Sequence, residues 1–215
     1  GSQTLIYVLE ERSMPMLRNM SFRFLIRSYQ VRQCLCSEVK SCSMSAAGSV
    51  TQCADRCQSH VTAMGASYPA VRQCIQAHQG QIRAAADCVE ATFANACANA
   101  PGKMAPQRNP YSVQSMAIRE ITAIIKRSGL IIEAAPLMSA AQRVGGCMGQ
   151  CAQQNSCAKL GCSLNLPSDA VLVQTSKRCA LQAGFTTPTA RAICTCLANA
   201  GIPRLAALCP KITIS

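Results

Sequence analysis

Cysteine is the residue type with the most chemistry to offer in this 215-residue chain, which contains 16 cysteines and two histidines. An even number of cysteines at this density is typical of disulfide frameworks formed in an oxidising compartment. Structural zinc sites usually use pairs of cysteines with two residues between them, and this sequence contains no such pair. Two C-x-C pairs, at Cys34-Cys36 and Cys194-Cys196, leave a thiolate cluster as the alternative. The sequence therefore predicts eight disulfides and no metal or other cofactor.

Histidine is the side chain that titrates near neutral pH, and the chain has only His60 and His78. His60 follows Cys57 by three residues and His78 follows Cys74 by four, both within expected helices. The nine carboxylates are scattered, and no hydrolase, metalloprotease or phosphate-loop motif occurs. We predict a structural role for both histidines and no catalytic residues. A hydrolytic enzyme is the third function class, behind two non-enzymatic ones.

The cysteines form two series with nearly the same spacing. In the first series the intervening segments contain 10, 3, 16 and 13 residues, and in the second they contain 9, 4, 16 and 14. Matching cysteines are offset by 104 to 106 residues. The first series is Cys42, Cys53, Cys57, Cys74 and Cys88, and the second is Cys147, Cys157, Cys162, Cys179 and Cys194. With Cys97 and Cys209 as a sixth pair, the spacing predicts a tandem duplication of a six-cysteine unit, the alternative being one irregular helical domain.

Four cysteines lie outside this repeat, and we expect them to pair across the two units and fix their orientation. They are Cys34, Cys36, Cys151 and Cys196. Cys53 and Cys57 are one helical turn apart, as are Cys147 and Cys151. Because such a pair lies on one helix face, each sulfur is expected to bridge to a neighbouring helix rather than to its own partner.

Helical patterns recur along the chain, and sustained strand alternation is missing. The strongest amphipathic segment is 112–128, which Gly129 is expected to terminate. A further helix is expected to begin near 129–132 and to reach about Val144. The remaining helices are predicted at 49–65, 70–79, 81–98, 169–183, 188–200 and 203–208. The fold class is therefore all-α and disulfide-rich.

Composition divides the chain into four segments. Residues 1–33 form a basic N-terminal arm and residues 34–100 the first cysteine-rich helical unit. Residues 101–112 are rich in proline, glycine and polar residues, which is typical of a linker. Residues 113–215 comprise amphipathic helices and the second cysteine-rich helical unit.

The net charge is +12, and the basic residues are spread along the chain. A nucleic-acid-binding protein would gather Lys and Arg on one face with aromatic side chains for stacking, so we predict no nucleic-acid partner. An unknown protein or an acidic glycan is the expected partner. The closest approach to a basic arm is made by Arg12, Arg18, Arg23, Arg27 and Arg32. In the same segment Asn19 fits the N-glycosylation pattern.

Cysteine usage predicts an extracellular, secreted protein, with the mitochondrial intermembrane space as the alternative. The Arg- and Ser-rich, acid-free segment from Arg12 to Arg32 also suits a mitochondrial transit peptide. Disulfide-linked helical proteins of the intermembrane space usually carry twin C-x3-C or C-x9-C pairs. Here Cys53 and Cys57 form one such pair, but the next cysteine, Cys74, has no partner four residues on. No apolar run approaches the roughly 18 residues of a transmembrane helix.

The second function class is an extracellular carrier of a small apolar ligand such as a lipid. Small disulfide-linked helical bundles often enclose apolar cavities, and helix 112–128 with the adjoining LIIEAAPLM segment offers the strongest apolar surface. Plain core packing is the alternative explanation of that surface. The lining would then include Ile118, Ile121, Ile125, Ile131 and Leu137.

The cysteine series on short Ala- and Gln-rich helices, from Cys42 to Cys88 and again from Cys147 to Cys194, resembles secreted cysteine-rich helical domains of nematodes. The chondroitin-proteoglycan-4-like group is one such family. The resemblance implies a role as an extracellular matrix or eggshell component and transfers no functional residue. The first function class is accordingly a secreted, non-enzymatic, disulfide-stabilised interaction or structural module.

Overall fold

The structure, a computed structural model, describes residues 30–154 and 157–214, without the side chains of 43–48, 110 and 158. The predictions for Asn19 and for four of the five arginines of the basic arm lie outside the described residues. Arg32 lies within them, where its guanidinium forms an ion pair with Glu38 at 2.8 Å.

The described residues form eight α-helices and one two-stranded antiparallel sheet, which confirms the all-α, disulfide-rich class. The strands are β1, Gln30–Arg32, and β2, Met104–Pro106. The helices are α1 Cys36–Arg56, α2 Gln58–Thr62, α3 Tyr68–Ala77, α4 Gln79–Thr92, α5 Pro110–Arg127, α6 Ile131–Gln154, α7 Asp169–Gln182 and α8 Thr187–Asn199. Short 3-10 turns lie at Ala94–Ala96, Cys157–Leu160, Pro203–Leu205 and Cys209–Lys211.

The first helix begins at Cys36, well before the predicted start at residue 49. Its N-terminus is capped by Glu38, whose carboxylate accepts a hydrogen bond from the Leu35 backbone N–H at 2.9 Å and also pairs with Arg32. Helix α6 likewise continues beyond the predicted end at Val144 and reaches Gln154. Both extensions cross Ser- or Gly-rich sequence of low helix propensity, so tertiary contacts rather than local preference maintain them.

Gly129 terminates helix α5 two residues after its last residue, Arg127, as the sequence predicts. This glycine has a φ of +70°, and its N–H donates to the Lys126 carbonyl at 3.0 Å. The next N–H, that of Leu130, donates to the Ile125 carbonyl at 3.0 Å. These are the two hydrogen bonds of a Schellman motif, and Ile125 packs against the buried cluster that contains Leu130.

All 16 cysteines are paired, and six of the eight disulfides join the first half of the chain, residues 34–97, to the second half, residues 147–209. The six are Cys34–Cys162, Cys42–Cys157, Cys53–Cys151, Cys57–Cys147, Cys74–Cys196 and Cys88–Cys179. The two within halves are Cys36–Cys97 and Cys194–Cys209.

The cross-links between halves form two nested series, in which later cysteines of the first half pair with earlier cysteines of the second. The first series holds α1 antiparallel to α6, and the second joins α3 to α8 and α4 to α7. The two C-x3-C pairs bridge to each other, which confirms that each sulfur reaches a neighbouring helix. The twin C-x3-C arrangement is therefore present, contrary to the interpretation based on Cys74, because its second pair lies 90 residues beyond the first.

Three of the four cysteines outside the repeat pair with the opposite half, as expected, whereas Cys36 pairs within its own half. The two disulfides within halves join positions that are not equivalent in the proposed repeat. The tandem duplication stays a prediction.

The apolar core consists largely of small side chains and has two clusters. One surrounds Tyr68 and Val71 on α3 and includes Ile202, and the other surrounds Leu130 and Leu208. Leu137 and Leu205 pack against both clusters and so connect them.

The segment predicted as a linker is anchored to the rest of the molecule. Ala105 in β2 is completely buried, and β2 pairs with β1. The Arg108 guanidinium pairs with the Asp169 carboxylate at 2.5 Å and donates to the carbonyls of Leu166 and Pro167. The connection between the halves is therefore packed against both strand β1 and the start of α7.

Gly201 marks a close approach between the two halves of the backbone. Its φ is +110°, and a Cβ added to it would lie 2.8 Å from the Gly65 carbonyl oxygen and 3.0 Å from the Ala66 Cα. The neighbouring Ala200 carbonyl accepts a hydrogen bond from the Ser67 N–H at 2.7 Å. Only glycine satisfies both the backbone angle and the space at this position.

We expect Gly201→Ala to lower the free energy of unfolding by about 3 kcal/mol or more, since backbone strain is added to an overlap with a neighbouring backbone. Gly102→Ala is the matched control, because Gly102 has a φ of +104° and an added Cβ would meet none of the described residues within 4 Å. The free energy of unfolding of this control should fall by about 1–2 kcal/mol from backbone strain alone. Guanidinium denaturation with disulfides intact measures both values. Equal losses in the two variants would contradict the close contact.

Candidate functional site

An apolar groove of about 490 Å³ is the candidate binding site. It lies between α1, α4, the turn that follows α4, the segment before α7, and α7 itself. Its apolar wall is made mainly of half-buried side chains, whereas Lys40 and Glu90 are exposed. The lining residues are Cys36, Val39, Lys40, Val89, Glu90, Phe93, Ala94, Cys97, Leu164, Leu166 and Leu172.

Local helix geometry explains how the walls arise. Val89 and Phe93 are four residues apart on and just after α4, so both side chains face the same direction. Val39 lies in the first turns of α1 and faces the groove from the other side. The Cys36–Cys97 disulfide, which contributes to the lining, fixes the start of α1 against the segment after α4. The disulfide therefore holds two walls of the groove together.

Two charged residues, Lys40 and Glu90, line the groove. Lys40 lies on α1 and Glu90 on α4, so one wall carries a positive charge and the other a negative one. Within the described residues neither forms an ion pair, with the other or with any further residue. Both charges remain available to a bound molecule.

The five residues predicted to line a ligand cavity do not lie together. Ile118 and Ile121 line a smaller apolar cavity of about 230 Å³ between α5 and α6, with Met138 opposite. Ile125 and Leu137 pack instead against the Leu130 core cluster, and Ile131 is 43% exposed. The smaller cavity falls below the range of about 300–1,000 Å³ common for small-molecule sites.

The groove could not be predicted from the sequence because its lining comes from four separate segments. No periodic pattern connects Val39, Val89 and Leu172, and their proximity depends on which cysteines pair. One signal was available, namely the large apolar residues Leu164 and Leu166 in a segment without a helical pattern. Such residues outside a helix have to pack against some other element.

Both histidines are half-buried, and in the described part of the chain neither forms an ion pair with a carboxylate. The Nδ1 atom of His78 lies 2.6 Å from the Gln81 side-chain oxygen, and its ring centroid lies 6.5 Å from that of Phe185. Residues 30–154 and 157–214 contain no group of three or more His, Cys, Asp or Glu that could hold a metal ion. The absence of catalysis stays a prediction.

The surface carries an excess of unpaired positive charge. The described residues include 17 Lys and Arg and seven Asp and Glu. Five of the bases and four of the acids form ion pairs, which leaves twelve bases and three acids without one. All twelve bases are exposed. They are Lys40, Arg56, Arg83, Lys103, Arg119, Lys126, Arg143, Lys159, Arg178, Arg191, Arg204 and Lys211.

A half-buried hydrogen-bond network joins α1 to α3. The Tyr68 hydroxyl donates to the Asp55 carboxylate at 2.5 Å, and Arg72 pairs with the same carboxylate at 2.9 Å. Burial, then the hydrogen bond to Asp55, raises the pKa of Tyr68 to about 12. Hydrogen bonds from Arg72 and then Tyr68 lower the pKa of Asp55.

Comparisons of the chain with protein-family models, with curated proteins and with solved structures find no match. Among the described residues, no helix combines the length and apolar character needed to cross a membrane. The charges and cavities of this chain are therefore the basis for assigning a function.

The raised pKa of Tyr68 has a consequence for stability in alkali. The stabilisation of the folded state that accompanies this pKa shift is fully present below the ordinary pKa of 10.0. It is lost as the pH rises towards about 12. We expect Tyr68→Phe to cost about 1 kcal/mol at neutral pH and to flatten the loss of stability between these values. Tyr111→Phe, at a side chain that is 55% exposed, is the control. Denaturation midpoints across this pH range test the expectation, and an unchanged slope in Tyr68→Phe would contradict it.

Proposed function

We propose that this protein is a secreted, non-enzymatic, disulfide-stabilised module that interacts with an acidic glycan. The eight disulfides support an oxidising extracellular location. The observation that carries the choice of partner is the set of twelve exposed bases without ion pairs. A role in an extracellular matrix also agrees with the resemblance to nematode cysteine-rich domains.

The distribution of charge favours a long, flexible polyanion that needs no aromatic stacking, such as a glycan, over a compact acidic partner. The unpaired bases are spread over most of the helices and the turns between them, and none of the described helices carries more than two. Individual exposed ion pairs contribute only about 0–1 kcal/mol each. A sulfated polysaccharide can contact many such bases in succession, so small contributions add along the chain. Binding of this kind weakens strongly as salt rises.

Chromatography on immobilised sulfated glycan tests the proposal. We expect retention at physiological ionic strength and elution at a higher salt concentration. Arg119→Glu, Arg143→Glu and Arg178→Glu together should lower the salt concentration needed for elution, since exposed positive charges become negative. The matched control replaces the same three arginines by lysine and should elute with the parent. Failure of the parent to bind, or identical elution of the charge-reversed variant, would contradict glycan recognition.

A second candidate function is that of a carrier for a small apolar ligand, and the groove beside Cys36–Cys97 favours it. Its volume of about 490 Å³ lies within the range common for small-molecule sites. Six of its lining residues have large apolar side chains, and a disulfide holds two of its walls together. The two functions use different surfaces and are compatible in one molecule.

An uncharged, environment-sensitive dye tests the carrier function. We expect the dye to gain fluorescence with the parent protein and to lose most of this gain with Ala94→Trp, since the indole would occupy the groove. Ala100→Trp is the matched control, because Ala100 is exposed nearby but does not line the groove. Equal dye binding by both tryptophan variants would place the dye elsewhere and count against the groove.

The twin C-x3-C arrangement between α1 and α6 keeps the mitochondrial intermembrane space as the alternative location. Expression in eukaryotic cells separates the two. Recovery of the oxidised protein from the medium supports secretion, whereas retention with mitochondria would overturn it.

A further inference from the structure

We propose that the groove beside Cys36–Cys97 binds a single-chain zwitterionic amphiphile, with an anionic phosphate and a cationic ammonium on one headgroup. This inference rests on the carrier function and names the ligand class of that site. Two features of the groove support it, an apolar interior and two opposite unpaired charges.

The interior suits one hydrocarbon chain. Val39, Val89 and Phe93 form the two helical walls, and Leu164, Leu166 and Leu172 close the third side. Burying apolar surface here contributes about 25 cal/mol for each Å² removed from water. A volume of about 490 Å³ lies in the lower half of the range of about 300–1,000 Å³ for small-molecule sites, which favours one chain over two.

The charges of Lys40 and Glu90 indicate which headgroup the groove would accept. A fatty acid could place its carboxylate near Lys40, but it would bring a second negative charge to a groove that already holds Glu90. An alkyl ammonium ion could place its positive charge near Glu90, but it would bring a second positive charge to a groove that already holds Lys40. A zwitterionic headgroup can satisfy both residues at once, with its phosphate towards Lys40 and its ammonium towards Glu90. Like-charge contacts thereby discriminate against ligands of a single sign.

The walls are held in place independently of any ligand. Cys36–Cys97 joins the start of α1 to the segment after α4, and Cys88–Cys179 joins α4 to α7. Arg108 fixes the segment before α7 through the Leu166 carbonyl at 3.1 Å and through Asp169. The framework thus sets the positions of α1 and α4, so the backbone needs little ordering on binding.

Three probes with the same alkyl chain test the ligand class, each used below its critical micelle concentration. They are a lysophosphatidylcholine, a fatty acid and an alkyltrimethylammonium salt. Isothermal titration calorimetry on the full chain, with all disulfides verified by mass, gives the three affinities. We expect the zwitterion to bind about fivefold more tightly than either singly charged probe, as two exposed ion pairs would allow.

Charge reversal at the two residues provides the decisive comparison. Lys40→Glu makes both walls acidic and should transfer the preference to the cationic probe. Glu90→Lys makes both walls basic and should transfer it to the fatty acid. The double variant K40E/E90K exchanges the two charges and should restore the preference for the zwitterion. Lys103→Glu, at an exposed base outside the groove, is the control and should leave all three affinities unchanged.

The outcomes separate the ligand class from the carrier function. If no probe binds, or if Ala94→Trp leaves binding unchanged, the groove is not a ligand site and both ideas fail. If Ala94→Trp abolishes binding but all three probes bind equally in the parent, the carrier function stands and the zwitterionic class is overturned. If the parent prefers one probe and both K40E and E90K keep that same preference, the zwitterionic class is also overturned.

Discussion

The fold depends on the covalent connection of its two halves by six disulfides. Their sequence separations run from 90 to 128 residues. In the chain-entropy account, a single cross-link closing a loop of about 100 residues destabilises the unfolded state by about 4.7 kcal/mol. Side-chain packing contributes less stabilisation of the folded state than usual, because many buried residues are alanines. The cross-links compensate for a core of small side chains, and they align α1 with α6 and α4 with α7.

This framework also explains how the surface and the groove can carry unpaired charge. Twelve exposed bases without ion pairs repel one another, which works against a compact state. Covalent bonds between the halves resist that repulsion, so the positive surface can remain available to an acidic partner. Within the first half, Cys36–Cys97 joins the start of α1 to the segment after α4. Lys40 on α1 and Glu90 on α4 form no ion pair with each other. Disulfides thus supply the rigidity that ion pairs and a larger core would supply in another protein.

Local signals are enough to predict most helices from the sequence. Gly129 with its flanking residues specifies the end of α5, and α3, α4, α7 and α8 lie within a few residues of their predicted positions, apart from the end of α4. The polar first half of α1 and the last turns of α6 could not be predicted, because distant cysteines rather than apolar periodicity stabilise them. The groove could not be predicted from the sequence for the same reason. Spacing identifies the cysteines as a framework and indicates that cysteines one helical turn apart bridge to another helix. It does not specify which helix that is.

The measurement that tests the nested disulfide framework most directly is peptide mapping of the unreduced protein by mass spectrometry, at a pH low enough to prevent disulfide exchange. The framework predicts six cross-linked peptides that each combine one cysteine from residues 34–97 with one from residues 147–209. The peptides holding Cys57–Cys147 and Cys88–Cys179 are the most informative, because they define the two nested series. Cysteines paired mainly within each half would show two separately closed units and would contradict the framework.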